Sequence, residues 1–244
     1  MQSQPLQGYS YDSAPIVAQA SAEERSAFIT RTYLHLLLAI VAFTVLEVFW
    51  FATPVAAFMI NLMTVGRFAW LIVIGGFIGT SYLADRWARS STSLGMQYAG
   101  LGLYTVAQSI MFLPMIGMAW IVGARGEEGL LSKAVLITLA MFVALTGIVF
   151  VTRKDFSFMR GILMLAGFAA MGLVVLSILF GFSLGMFFSY AMIAFACGYI
   201  LYDTSNVMLH YRTSQHVAAA LALFASVMLL FWYVLRILLG RRSE

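Results

Sequence analysis

One short stretch of the sequence combines a carboxylate with hydroxyl and amide side chains. It reads GYILYDTSN from Gly198 to Asn206, and Asp203 is its only charged residue. No charged residue precedes Asp203 back to Arg160, and this apolar run is long enough for two membrane crossings of about 20 residues each. An ionised side chain costs about 2.5–3.5 kcal/mol at mid-bilayer and less near an interface. Asp203 therefore either lies near the lipid headgroups or faces the protein interior and has a role there.

Few other polar residues interrupt the apolar stretches. Glu47 is most simply interpreted as an interfacial carboxylate, and His35 as a satisfied interior or interface histidine. For Asp203, a helix-end charge in water and an interior functional group remain equally open. The candidate residues of a gate or an ion pathway are Asp203, Ser226, Arg86, Arg89, His35 and Glu47.

Three classes of membrane enzyme have sequence signatures that this chain lacks. There is no His-Glu-x-x-His metalloprotease motif and no Gly-x-Ser-x-Gly nucleophile motif. Tyr202-Asp203 suggests an aspartyl protease, but no later span carries a second carboxylate. His210 and His216 follow the sixth predicted span, which favours interfacial histidines over a metal set. We therefore expect no enzymatic activity and no cofactor, and we interpret the single Cys197 as packing.

The composition defines a polytopic all-α membrane protein. Of the 244 residues, 62% are hydrophobic and 10% are charged, with a mean hydropathy of +0.94. Soluble domains carry about 25% charged residues. The net charge of +4 does not indicate a nucleic-acid partner, because the arginines are scattered singly between apolar segments. The expected partner is the lipid bilayer, with other membrane proteins as a further possibility.

Seven membrane spans are predicted within one domain, residues 31–240. An N-terminal tail (1–30) is expected to be disordered or weakly structured, with a helix-capping pattern at Ser21–Glu24. A short helical connector is expected at Pro54–Val65, and a short basic tail at 241–244. The predicted spans are Thr32–Phe51, Phe68–Ala84, Leu94–Val122, Leu130–Phe150, Phe158–Phe180, Leu184–Tyr202 and Ala218–Leu239. Small residues in the first half of the last span predict that the other helices enclose it.

The distribution of basic residues gives a weak orientation signal. With the N-terminus inside and seven crossings, the inner side carries eight Lys and Arg residues and the outer side six. If the last segment returned instead of crossing, the split would be eleven to three. The length of the last segment favours a full crossing. Because basic residues are retained in the cytoplasm, we expect a cytoplasmic N-terminus.

The stretch around Asp203 resembles the signature of the Bax inhibitor family, the transmembrane Bax inhibitor motif proteins. The similarity extends over about residues 31–240. The bacterial members are the nearest in appearance, which implies the inner (plasma) membrane of a bacterium as the location. Further matching stretches are Ser189–Ala191, Ser93–Gly95, Phe112–Pro114 and Leu235–Leu238. The resemblance implies seven helices, six of them surrounding the last. It also implies a proton-sensitive calcium leak and, in eukaryotic members, suppression of cell death.

One position departs from the family pattern. In the family, the aspartate of the sixth span pairs with a second aspartate ten residues before the arginine of Leu-Arg-Ile-Leu. Here that arginine is Arg236, and the position holds Ser226. Two close carboxylates share a proton and titrate together, whereas a serine offers only a hydrogen bond. We therefore rank the partners of Asp203 as Arg86 or Arg89 first, then His35, then Ser226.

The resemblance suggests a leak pathway for Ca²⁺ or another cation, influenced by pH and gated around Asp203. Hard cations prefer oxygen ligands, so Asp203 is the expected transient Ca²⁺ ligand. The alternative is a non-conducting protein that regulates stress responses, cell death or proteases by binding membrane partners.

Overall fold

Eight α-helices and a short 3₁₀ turn make up the described chain. The computed structural model describes residues 14–90, 93–124 and 129–240. The 3₁₀ turn is Val17–Gln19. The helices are α1 (Ala22–Phe51), α2 (Pro54–Val65), α3 (Arg67–Ala88), α4 (Leu94–Ala124), α5 (Leu130–Thr152), α6 (Met159–Phe180), α7 (Gly185–Leu209) and α8 (His216–Gly240). The predicted all-α class is confirmed.

Seven of these helices are long and apolar enough to cross a membrane. The exception is α2, whose 12 residues are too few for the roughly 20 that a crossing requires. It coincides with the helical connector predicted at Pro54–Val65. The predicted spans therefore correspond to α1 and α3 through α8, and the sixth and seventh spans are α7 and α8.

The helices extend beyond several predicted span boundaries. Helix α1 begins at Ala22, so residues 22–30, which we assigned to the N-terminal tail, are helical. The cause is the predicted capping box, in which the Ser21 hydroxyl accepts from the Glu24 backbone N–H at 3.2 Å and Glu24 Oε2 accepts from the Ser21 backbone N–H at 3.1 Å. The remainder of the tail (1–13), residues 125–128 between the third and fourth predicted spans, and the tail 241–244 lie outside the described residues.

Helix α8 is the centre of the bundle, as predicted. It packs against α1, α3, α4, α5 and α7, and buried side chains occur all around its circumference. Ala218, Ala219 and Ala220 are at most 1% exposed, because small side chains let neighbouring backbones approach closely. Helix α6 lies further out and packs on α3 and α7.

Successive spans alternate in direction, so α1, α4, α6 and α8 begin at the same end of the bundle, termed here the N-terminal face. The segment 14–20 is bound to this face. Val17 is fully buried, and its backbone N–H donates to the Tyr211 carbonyl at 2.9 Å. Arg25 Nε donates to the Val17 carbonyl at 3.1 Å, and Arg212 Nη1 donates to the Ala14 carbonyl at 2.9 Å. The described N-terminal segment is thus tied to the loop that precedes the central helix.

Candidate functional site

Asp203 lies inside the bundle and is hydrogen-bonded to the central helix. Asp203 and Ser226 are 7% and 4% exposed, and the Ser226 hydroxyl donates to Asp203 Oδ2 at 2.5 Å. Asp203 is six residues before the end of α7, about 9 Å from that end at about 1.5 Å per residue. Of the two interpretations left open for Asp203, the interior position is the one observed.

The other residues of the Asp203 stretch hold α7 in place. A Cβ on Gly198 would lie 3.0 Å from Leu163 Cδ2, so glycine lets α6 approach α7 at this position. The buried Ser205 hydroxyl accepts from the Phe156 backbone N–H at 2.9 Å, which fixes the α5–α6 loop to α7. Ile200 is fully buried. The stretch therefore positions Asp203 through packing on one side and a loop contact on another.

The predicted ranking of partners for Asp203 was wrong. Ser226, ranked last, makes the hydrogen bond. Arg89, ranked first, forms an i,i+4 ion pair with Asp85 at 2.8 Å and acts on Asp203 only through space. Arg86 is exposed near the end of α3. The arginines remain at the N-terminal face because their guanidinium groups stay hydrated there, whereas Asp203 lies deeper.

Tyr211 links Arg89 to the loop before α8. Its side chain is 9% exposed, and it interacts with the Arg89 guanidinium. Burial raises the pKa of the Tyr211 phenol, and the nearby Arg89 charge opposes that rise. The phenol is therefore neutral at physiological pH and acts as a polar contact between Arg89 and the loop.

His35 is satisfied, as predicted, but it is next to a second histidine. Its Nδ1 lies 2.6 Å from the Arg31 carbonyl, which can only accept, so Nδ1 carries a hydrogen. Its Nε2 lies 3.1 Å from the Tyr98 hydroxyl. The His216 ring is 5.0 Å from the His35 ring and only 7% exposed. The interpretation of His216 as an interfacial histidine was wrong, because α8 begins at this residue inside the ring of helices.

Glu47 is buried, so its interpretation as an interfacial carboxylate was also wrong. It is 6% exposed, because it lies on the face of α1 that packs against α4 and α8. Among the described residues, neither of its carboxylate oxygens has a hydrogen-bond partner. Asp203 and Glu47 are therefore two buried carboxylates, one satisfied and one not, on different helices around α8.

One side-chain contact in the described chain, between His210 and Asp155, had no local sequence signal. His210 Nε2 lies 3.0 Å from Asp155 Oδ2, across 55 residues of sequence. The pKa of Asp155 is lowered chiefly by the Ser157 backbone N–H, which donates to Oδ1 at 2.8 Å, and further by His210. By contrast, the i,i+4 spacing of Asp85 and Arg89 was a readable signal of an ion pair.

The described residues contain no group of three or more His, Cys, Asp or Glu side chains arranged to hold a metal ion. Asp203 and Ser226 together supply three side-chain oxygens, whereas Ca²⁺ takes six to eight oxygen ligands. These two side chains alone therefore supply too few oxygens for a resident calcium ion.

These features define a polytopic all-α integral membrane protein with a carboxylate hydrogen-bonded to its central helix. The chain belongs to the Bax inhibitor family, because the family model described as "Inhibitor of apoptosis-promoting Bax1" matches residues 25–243. The resemblance seen in the sequence is thereby confirmed.

Three relatives are similar over large parts of the chain. Bax inhibitor 1 of Schizosaccharomyces pombe is 26% identical over 231 residues, which cover 91% of this chain and 79% of that protein. The uncharacterized protein PA2604 of Pseudomonas aeruginosa is 28% identical over 169 residues, covering 68% of this chain and 72% of that protein. A BI1-like protein of Arabidopsis thaliana is 31% identical over 147 residues, covering 57% and 53%.

Proposed function

We propose that this protein is a cation leak pathway, for Ca²⁺ or another cation, controlled at the Asp203–Ser226 pair. The observation that carries the proposal is a buried carboxylate on α7 that is bound to the central helix by one hydroxyl. A carboxylate is costly to bury inside a membrane protein, and such residues commonly mark ion pathways. The proposal assigns the protein no catalytic activity and no cofactor.

The proposed control acts at the α7–α8 contact. In the described conformation Asp203 and Ser226 are almost inaccessible to water, which corresponds to a closed pathway. Opening requires α7 and α8 to separate enough for water to reach Asp203, which then offers oxygen ligands to a hard cation. Arg89, within electrostatic reach of Asp203, disfavours a cation near the N-terminal face while it remains there.

We further propose that the membrane is a bacterial inner membrane with the N-terminus in the cytoplasm. The similarity to the Pseudomonas aeruginosa protein supports a bacterial origin. More Lys and Arg residues are predicted on the side of the membrane that holds the N-terminus than on the other side, and this excess supports a cytoplasmic N-terminus. A cysteine-accessibility assay on intact cells tests the orientation with Ala18→Cys and Gly123→Cys, each made in a Cys197→Ala background. Only the cysteine at position 123 should react with an impermeant reagent.

The competing function is a non-conducting regulator that binds membrane partners, in keeping with the name Bax inhibitor 1 carried by the Schizosaccharomyces pombe relative. Flux decides between the two functions. Purified protein in calcium-loaded liposomes should release Ca²⁺ faster than protein-free liposomes, and Asp203→Asn should change that rate. Ser177→Ala is the matched control for changes at Ser226, because the Ser177 hydroxyl bonds within its own helix, to the Val174 carbonyl. A release rate equal to that of empty liposomes would favour the regulator.

A further inference from the structure

Glu47 belongs to a single inward-facing stripe on α1. The buried residues of this helix recur every three or four positions, which is the spacing of one helical face. They are Phe28, Thr32, Leu36, Ala39, Phe43 and Glu47. Since α1 packs against α4 and α8 along this face, Glu47 points toward the interior of the bundle rather than toward lipid.

Aromatic contacts enclose this position on both sides along α1. One turn before Glu47, the Phe43 ring contacts those of Phe112 and Phe224, with centroids 5.3 and 6.4 Å away. One turn after it, Phe51 stacks on Trp120 at 5.0 Å. The carboxyl group of Glu47 therefore lies along α1 between two aromatic contacts, and within one turn of it the Trp50 indole N–H donates to the Ser109 hydroxyl at 2.9 Å.

Helix α2 covers the same end of α1 and α4. Ala56 and Met59 of α2 are buried in a cluster with Leu113 of α4. The Ile60 side chain occupies the space above Gly117, where a Cβ would lie 2.7 Å from Ile60 Cδ1. Because α2 has no charged residue in its sequence, it brings no ionic partner to this end.

No described charged group compensates Glu47. The elements packed against α1 carry few titratable side chains, and none of those described hydrogen-bonds or pairs with Glu47. The titratable residues on those elements are Tyr98 and Tyr104 on α4, His216, Tyr233 and Arg236 on α8, and Lys133 on α5. On α1 itself the nearest is His35, 12 residues earlier and about 18 Å away along the helix.

These surroundings determine which ligand the carboxyl group can take. An unpaired ionised carboxylate in an apolar interior is strongly unfavourable, so it requires a proton or a cation. Ca²⁺ needs six to eight oxygens and Mg²⁺ needs an octahedron of them, and a single carboxylate between aromatic rings supplies neither. A proton needs only the carboxylate.

We propose that Glu47 is a proton-binding site at the α1–α4–α8 contact, separate from the Asp203–Ser226 pair. The protonated form keeps the aromatic side chains and α2 packed. Loss of the proton leaves a charge that must be hydrated, which favours a conformation in which water enters between α1, α4 and α2. The proposed entry of water rests on the proposed leak function, whereas proton binding by Glu47 does not.

Infrared spectroscopy tests the proton site without requiring any flux. Parent protein in liposomes should show the carbonyl stretching band of a protonated carboxylic acid, and the band should shift on exchange into D₂O. Glu47→Gln, which keeps the shape of the side chain, should remove this band, and the control Asp203→Asn should not. A parent spectrum identical to that of Glu47→Gln across the pH range would overturn the proposal.

Flux measurements test the consequence of losing the proton. Because opening is coupled to the release of one proton, the leak rate should rise by up to about tenfold per pH unit, over the same pH interval in which the infrared band disappears. In Glu47→Gln the rate should stay within about twofold over that interval. A rise that is equally steep in Glu47→Gln would refute the coupling. If the parent shows no flux at any pH, the leak function fails, while the infrared result still decides the proton site.

Discussion

Ser226 donates a hydrogen bond at the position where a second aspartate would share a proton with Asp203. This difference concerns two side chains and leaves the packing of α7 on α8 intact. It predicts a pH response unlike that of relatives with two carboxylates, since only a carboxylate pair takes up and releases a shared proton.

Ser226→Asp should make cation flux more steeply pH-dependent near neutrality, because two adjacent carboxylates titrate as a coupled pair. Asp203→Asn should change the basal flux more than its pH midpoint. Both variants are measured in calcium-loaded liposomes at several pH values, with Ser177→Ala as the control. A pH dependence of flux in Ser226→Asp that is no steeper than in the parent would contradict this prediction.

The sequence identified Asp203 as a candidate site residue because it is a charged residue in a long apolar run. The sequence did not identify the hydrogen-bond partner of Asp203. Whether Ser226 or an arginine reaches the carboxylate depends on the rotation and register of α7 against α8, which hydropathy does not encode. The same limitation applies to Glu47. Its position near the end of a span suggested an interface, and only the rotation of α1 and the cover provided by α2 make the site buried.

At the scale of helices, Gly100 determines how closely α3 and α4 pack. A Cβ at this position would lie 2.5 Å from the Ala84 carbonyl oxygen and 2.6 Å from the Ala88 backbone nitrogen. Gly100→Ala should therefore force the helices apart and destabilise the fold by about 1–3 kcal/mol. Gly102→Ala is the matched control, because a Cβ there has nothing within 4 Å. It should be neutral or stabilising by up to about 1 kcal/mol. Thermal unfolding in detergent compares the two, and equal melting temperatures would contradict the packing argument.

The α5–α6 loop is held to the end of α7 by Asp155 and His210. Since the pKa of Asp155 is lower in the folded state, the carboxylate contributes stability at neutral pH, and this contribution is lost as the pH falls through the acid range below about 4. Asp155→Asn should lower the unfolding temperature at neutral pH, and the difference from the parent should vanish in acid. A double-mutant cycle with His210→Gln separates the pair from the Ser157 contact. A difference that persists unchanged in acid would exclude this role of the carboxylate.

The number and order of the helices were predictable because membrane crossing imposes length and hydropathy together. The boundaries were less accurate, since helices continue into water wherever a cap or an ion pair supports them. Ser21 caps α1, which begins at Ala22, ten residues before the predicted span. The ion pair of Asp85 and Arg89 accompanies the extension of α3 past Ala84. Pro114 lies inside α4, which continues without a break from Leu94 to Ala124.

At the scale of the whole molecule, the segment 14–20 joins the start of the chain to the loop before the central helix. Val17→Asp should release it, because burying a valine is worth about 1.5–3 kcal/mol and a buried aspartate adds a further cost. Limited proteolysis should then cut near this segment at least about tenfold faster. Ala18→Asp is the matched control, because Ala18 is exposed. Equal cleavage of the two variants would show that Val17 does not hold the segment.

The central position of α8 has a consequence for how the protein is made. The helix that most of the others pack against is synthesised after all of them, at about 5–20 residues per second. Until α8 is made, the six earlier spans share the bilayer around an unfilled position, and the Asp203 carboxylate still lacks its Ser226 partner. Nascent chains stalled before residue 216 should therefore be the form most exposed to membrane quality-control proteases, and the insertion of a single final helix completes the core in one step.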